Sequence, residues 1–313
     1  QTFLRSYGGV RPYRVATGPN SGDYNWTEVV MREAGRTIDG LDLHYYAVVG
    51  TWQNKGKATE FDEAEWFELM QKAMRMEEFV ERHSAIMDEY DPRGRVDLIV
   101  GEWGNWYQVE EGTNPGFLYQ QNSLRDAVSA AWNLNLFNNH ARRVKGANIA
   151  QTVNVLQAMV LTQGEEMILT PTYHTFEMYT PHHDALLLPT ELDAGSYSHG
   201  GESIPALTVS ASRDADGQIH VTLANLDPNF PRTLTTRVTG ASVSGASGRI
   251  LTAEAMNAHN TFEDPDAVKP EAFHGFDIAG GGLTIELPAK SVVALELQSS
   301  NPGSEKDLLE EGS

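Results

Sequence analysis

The chain has 313 residues, 40% of them hydrophobic, a formal charge of −20 and no cysteine. That length supports substantial cores and predicts two domains; the charge argues against nucleic acid or an anionic membrane as partner, and the missing thiols exclude disulfides and thiolate chemistry. No run approaches the roughly 18 apolar residues of a membrane helix, and no signal-peptide pattern opens the chain, which starts at Gln1.

Residues 1–184 alternate strand-like and helix-like patterns. "YRVATG" (13–18) reads as a strand, and Asn25 as the cap of a helix through "WTEVVMREAG". "GLDLHYYAVV" (40–49) is rich in β-branched and aromatic residues and reads as the next strand. A long helix follows, with Trp66, Met70, Ala73, Phe79, Val80, His83, Met87 and Tyr90 at three- and four-residue spacing, and Asp91-Pro92 ends it. "VDLIVGEW" (96–103) is a strand; "SLRDAVSAAWNLNLFNNHARR" (123–143) is a helix capped by Ser123; "ANIAQTVNVLQAMVL" (147–161) is a further apolar run. Apolar strands separated by helices predict a parallel sheet covered on both faces.

Beyond Asp184 the texture changes to short alternating segments, "ALTVSASR", "QIHVTLAN", "TLTTRVTG", "GGLTIELP" and "SVVALELQ", separated by Gly, Pro, Asn and Asp. They predict an antiparallel β-sandwich over 185–298, followed by a disordered polar tail at 299–313. A complete (β/α)₈ barrel takes about 250 residues, whereas 184 precede the sandwich and hold about four βα units. The first part is therefore either a small open α/β sheet or the second half of a barrel.

Catalytic groups of such folds stand at the carboxyl ends of strands. Read in order, those ends supply Asn20, then His44 and Tyr46, then Glu102 and Trp106, then Asn154 and Gln157. Glu102 follows an apolar run directly, between Gly101 and Trp103, and is held rather than floating. Its ordinary alternative is a solvated or salt-bridged loop acid. Tyr46 is expected to donate a hydrogen bond that keeps the carboxylate ionised and aimed, as a nucleophile requires. His44 and Tyr46 share one face of their strand; the alternative for His44 is a satisfied core histidine, and for Asn154 and Gln157 the capping of backbone groups. Trp52, Trp103 and Trp106 are either core or rings that stack on the C–H faces of a sugar. "HARR" (140–143) and residues 81, 82 and 88 read as solvated helix faces. His182-His183 lacks the partners of a metal site and reads as a turn between domains. No metal or cofactor is expected.

The ordered stretches "GPNSGDYNWTEVVM", "DGLDLHYY", "NKGKATEFDEAEW", "GEWGNWY" and "NIAQTVNVLQAM", which span most of residues 1–184, resemble the C-terminal part of an α-L-arabinofuranosidase of glycoside hydrolase family 51. The resemblance implies a retaining hydrolase: a (β/α)₈ barrel, here only its second half, followed by a β-sandwich. It implies Glu102 as nucleophile after barrel strand seven, and His44 and Tyr46 as residues that contact arabinose and orient that nucleophile. Trp106 would line the sugar site, Gln157 would bond the sugar, and Trp52 would extend the wall. It further implies arabinose-containing oligosaccharides as substrates, a cytoplasmic location and a homo-hexamer. The family's acid/base, in a G-N-E motif, has no counterpart in this chain, so an N-terminal portion of the same enzyme is expected to supply it. Two other readings stand beside this one: a hydrolase of the same clan acting on glucan or xylan, and a non-catalytic sugar-binding fragment.

Overall fold

The structure is a computed structural model that describes residues 8–299. Its first half contains β1 (Val15–Ala16), α1 (Tyr24–Ala34), β2 (Gly40–Ala47), α2 (Glu63–Tyr90), β3 (Asp97–Asn105), α3 (Leu124–Asn139) and β4 (Val144–Ile149). The four strands form one parallel sheet in the order β1-β2-β3-β4. A hairpin of β5 (Val160–Gln163) and β6 (Glu166–Leu169) and the helix α4 (Pro171–Tyr179) complete this half.

The remaining strands are β7 (Leu186–Leu188), β8 (Ser196–His199), β9 (Glu202–Pro205), β10 (Leu207–Arg213), β11 (Ile219–Asn225), β12 (Arg232–Thr236), β13 (Val243–Leu251), β14 (Glu271–Ala272), β15 (Phe276–Ala279), β16 (Gly282–Leu287) and β17 (Ser291–Ser299). They make a six-stranded sheet, β14-β13-β17-β11-β10-β7, a three-stranded sheet, β12-β16-β15, and the hairpin β8-β9. Every pairing in them is antiparallel. This is the β-sandwich predicted from the alternating segments.

Local chemistry explains where the helices begin. Asp62 accepts from Glu65 N–H to start α2, and Ser123 with Asp126 forms the reciprocal capping box of α3. One hydrophobic cluster lies between the parallel sheet and its helices, with Leu41, Leu43, Leu98 and Val100 meeting Leu69, Met76 and Phe79. A second joins the outer faces of α2, α3 and α4 to the sandwich, from Trp66 and Trp132 to Leu223 and Val293. Among the described residues no helix is long and apolar enough to cross a membrane.

Four local expectations are corrected. The strand expected at 13–18 is confined to Val15–Ala16. Asp23, not Asn25, caps α1, because its carboxylate reaches Trp26 N–H. The run 147–161 is not one strand: β4 ends at Ile149 and the chain turns, with Asn154 and Leu156 at positive φ, before β5. The segment 140–143 and Asp88 are not merely solvated: α3 stops at Asn139, and the Arg143 guanidinium is buried, bonded to Asp88, Asp91 and the Val96 carbonyl. The tail expected to be disordered lies, from residue 300 onward, outside the described residues, while Ser299 ends β17.

Candidate active site

On β2 the odd positions Leu41, Leu43 and Tyr45 are buried against the helices, where the Tyr45 hydroxyl donates to the Lys72 carbonyl on α2. The even positions Asp42, His44 and Tyr46 consequently stand on the other face, as strand geometry requires. On β3, Leu98 and Val100 are buried on the helix side, and strict alternation would send Glu102 there with them. It does not go there. The register jumps from Leu43 opposite Val100 to His44 opposite Glu102, which leaves Gly101 as an extra residue, a β-bulge. Trp103 thereby takes the helix-facing place, packed on Phe137 of α3 and Phe176 of α4. Glu102 turns to the face that carries Asp42, His44 and Tyr46.

Asp42 occupies the bulge. Its Oδ1 accepts from Gly101 N–H at 3.0 Å and from Leu43 N–H at 2.9 Å. A Cβ on residue 101 would lie 2.1 Å from that oxygen, so while Asp42 holds its place only glycine fits there. Asp42 Oδ2 lies 2.7 Å from His44 Nε2, and His44 Nδ1 lies 3.6 Å from Glu102 Oε2. The Tyr46 hydroxyl donates to the same Oε2 at 2.8 Å. Burial and then this bond to Glu102 hold the phenol protonated far above its ordinary range. Glu102 keeps 44% of its side-chain surface open, so a carboxylate with fixed partners still faces outward.

Aromatic rings continue from Tyr46. Trp106 meets it edge to face at 5.2 Å, and Trp52 meets Trp106 in the same manner at 5.5 Å. Lys55 Nζ lies over both indoles, 5.4 and 5.3 Å from their centroids, while donating to the Trp52 carbonyl at 2.7 Å. Trp52 is 53% exposed, which leaves a ring surface available to a ligand. Trp103, by contrast, is core.

Of the residues expected at the site, the structure brings together His44, Tyr46, Glu102, Trp106 and Trp52. Gln157 departs from the expectation. Its side chain is fully buried, Oε1 accepting from Asn105 N–H and Nε2 donating to the Asp126 carbonyl and Thr172 Oγ1. These bonds hold it beneath the end of β3, where Asn105 and Tyr107 also bond the buried Asp126 carboxylate. The exposed glutamine beyond the carboxyl end of β4 is Gln151. Asn154 caps its own turn, exchanging hydrogen bonds with Thr162. Asp42 was missed by sequence reading, although its two-residue spacing from His44 and Tyr46 is the signal that places all three on one face.

Away from this pocket, Glu77, Glu81 and His140 bring one ligand atom each within 4.8 Å of one another. The His182 ring contacts the Ser212 and Thr222 hydroxyls.

The family described as the α-L-arabinofuranosidase C-terminal domain matches residues 101–291. The chain belongs to glycoside hydrolase family 51, as its C-terminal region. It is 43% identical over 298 residues to an intracellular exo-α-L-arabinofuranosidase of Bacteroides ovatus, covering 95% of this chain and 58% of that protein. An intracellular exo-α-(1→5)-L-arabinofuranosidase of Streptomyces lividans is 24% identical, with 89% of this chain and 42% of that one covered. Among solved structures, the family 51 arabinofuranosidase of Xanthomonas axonopodis pv. citri superposes with a TM-score of 0.93 at 47% identity, over 95% of this chain and 60% of that one. The chain thus spans less than two thirds of the length of these family members.

Proposed function

We propose that the protein is a retaining glycoside hydrolase that releases terminal α-L-arabinofuranosyl residues from arabinan and arabinoxylan oligosaccharides, with Glu102 as nucleophile. The observation that carries this reading is the bulge at Gly101, which turns Glu102 out of the core and onto the Tyr46 hydroxyl. A nucleophilic carboxylate must be ionised, aimed and accessible, and a donated hydrogen bond to a side chain that stays accessible meets those needs. The Tyr46–Trp106–Trp52 wall supplies ring faces for the C–H surface of a pentose.

In this reading the β1–β4 sheet is the second half of a (β/α)₈ barrel, residues 1–184, and residues 185–298 are its sandwich. A portion of the enzyme outside this chain closes the barrel and carries the acid/base glutamate, standing about 5–5.5 Å from Glu102 as retention requires. Support comes from the edges at β1 and β4, which have no neighbouring strand among the described residues, and from the share of the relatives' length that this chain spans. A cytoplasmic location and a homo-hexameric assembly belong to the same reading; the two curated relatives are named as intracellular enzymes. Gln151, rather than Gln157, is the glutamine of this segment assigned to the sugar.

The test is hydrolysis of an aryl α-L-arabinofuranoside by the full-length enzyme, with the anomer of the first-formed sugar followed by NMR. Release of the α-anomer supports the reading. Inverted product, or cleavage of glucan or xylan only, overturns it.

A further inference from the structure

We propose that Asp42 is the positioning residue of this site, holding at once the bulge that aims Glu102 and the imidazole beside it. The inference rests on Glu102 being the nucleophile but concerns a residue that does not touch the reacting atoms. Its geometry is that of one carboxylate serving two strands. Oδ1 takes the Gly101 N–H, the donor that the bulge frees from the β2–β3 ladder, and Oδ2 takes His44 Nε2.

Both contacts bear on Glu102. An extra residue in a strand leaves a backbone N–H without a ladder partner, and an unpaired amide favours slipping back into regular register. Regular register would return Glu102 to the side of Leu98 and Val100. The Asp42 carboxylate satisfies that amide by a charge-assisted bond. On the second arm, a ring held through Nε2 presents Nδ1 toward Glu102 Oε2, 3.6 Å away in this structure. Both contacts are donor-to-acceptor only in the imidazolium form, in which both ring nitrogens donate. The groups facing the ring are Asp42 on its own strand and Glu102 on β3, with Tyr46 next along β2. Asp42 itself keeps only 18% of its side-chain surface, so its orientation is set by these partners.

The close approach of residues 42 and 101 provides an unusual test. A side chain rooted at 101 begins in the space Asp42 Oδ1 now fills. A carboxylate can therefore be moved from one strand to the other. In the full-length enzyme, Asp42→Ala should lower kcat about 10- to 1000-fold, the range for losing one orienting contact in a preorganised site, with KM for an aryl arabinofuranoside changed less than about threefold. Asp42→Ala combined with Gly101→Asp, which returns a carboxylate to His44 but cannot accept its own backbone N–H in good geometry, should recover only the imidazole share of that loss. In a His44→Ala background, Asp42→Ala should cost less than it does alone, since one of its two arms is already gone.

Wild-type-like kcat in Asp42→Ala overturns the proposal. A folded Asp42→Ala/Gly101→Asp protein no more active than Asp42→Ala overturns the imidazole arm. Full additivity with His44→Ala overturns the imidazole arm. Should Asp42→Ala fail to fold, Asp42→Asn decides alone: a folded protein with kcat lowered at least about tenfold supports the inference, and wild-type-like kcat overturns it. Wild-type enzyme that cleaves no arabinofuranoside would instead refute the proposed function, a separate outcome.

Discussion

The Tyr46 hydroxyl and the Glu102 carboxylate meet at 2.8 Å across two neighbouring parallel strands, although 56 residues separate them in the chain. The contact exists because β3 gains one residue at Gly101, so that Glu102 stands opposite His44 rather than opposite Tyr45. Tyr46 is part-buried and Glu102 half-open, an arrangement that holds one carboxylate oxygen while the side chain stays accessible.

Replacing Glu102 by alanine should remove the covalent step and lower kcat of the full-length enzyme by roughly three to five orders of magnitude. Azide, small enough to enter the vacated space, should restore part of the activity and yield a glycosyl azide of inverted configuration. Steady-state kinetics and NMR of the product check both points; turnover near wild type in Glu102→Ala would sink the assignment.

Tyr46→Phe keeps the ring that packs on Trp106 and removes only the donor. Turnover should slow by roughly 10- to 1000-fold, as for one lost donor in a preorganised site, while the thermal midpoint stays close to wild type. A large fall in thermal midpoint with unchanged kcat would show that the hydroxyl serves stability instead.

Trp106 stands between Tyr46 and Trp52, so its ring is the middle of the aromatic wall. Trp106→Ala should raise KM for a short arabinoside by roughly tenfold, the worth of about 1.4 kcal/mol of lost stacking. Some kcat should be lost as well, because a loosely held sugar is misaligned. An unchanged KM would reduce the residue to packing.

Arg143 ties the end of α2 to the start of β4. Its guanidinium bonds Asp88, Asp91 and the Val96 carbonyl, and Asp91 is itself almost fully buried. Arg143→Met would leave the Asp91 charge short of a partner, though Arg95 and Val96 N–H still hold it. The expected cost is about 3 kcal/mol, at the low end for breaking a buried pair, measurable by denaturant titration. A change under about 0.5 kcal/mol would place Arg143 among ordinary surface charges.

His182 sets a pH dependence of stability. Burial, with smaller contributions from His220 and His183, lowers it to about 4. The unfolded chain therefore binds the His182 proton more readily than the fold does between about 6.5 and 4. Stability from this group is fully present above about pH 6.5 and is lost as pH falls toward 4. Burial shifts His83 and His174 in the same direction. The thermal midpoint should thus drop on acidification through that window, less steeply in His182→Gln; equal slopes for the two proteins would remove His182 from the account.

The type and order of the main elements were legible in the sequence, because apolar periodicity and a capping residue such as Ser123 act locally. So was the shared face of His44 and Tyr46, a consequence of alternation along one strand. What alternation could not show was Glu102. By period it belongs with Leu98 and Val100 in the core, and the register shift that turns it round comes with a cross-strand bond that Asp42 accepts from Gly101 N–H. Gln157 and Arg143 are polar residues whose burial depends on partners distant in sequence, Asn105 and Thr172 for one, Asp88 and Asp91 for the other. The strand β13, "VSGASGRIL", has the composition of a loop and was not read as a strand. Pairing with β17 makes it one, and the lack of a side chain at Gly248 is what that position needs, since a Cβ there would lie 2.7 Å from Leu295. Local pattern set the elements of this protein; contacts between strands and helices far apart in the chain decided which acid faces the pocket.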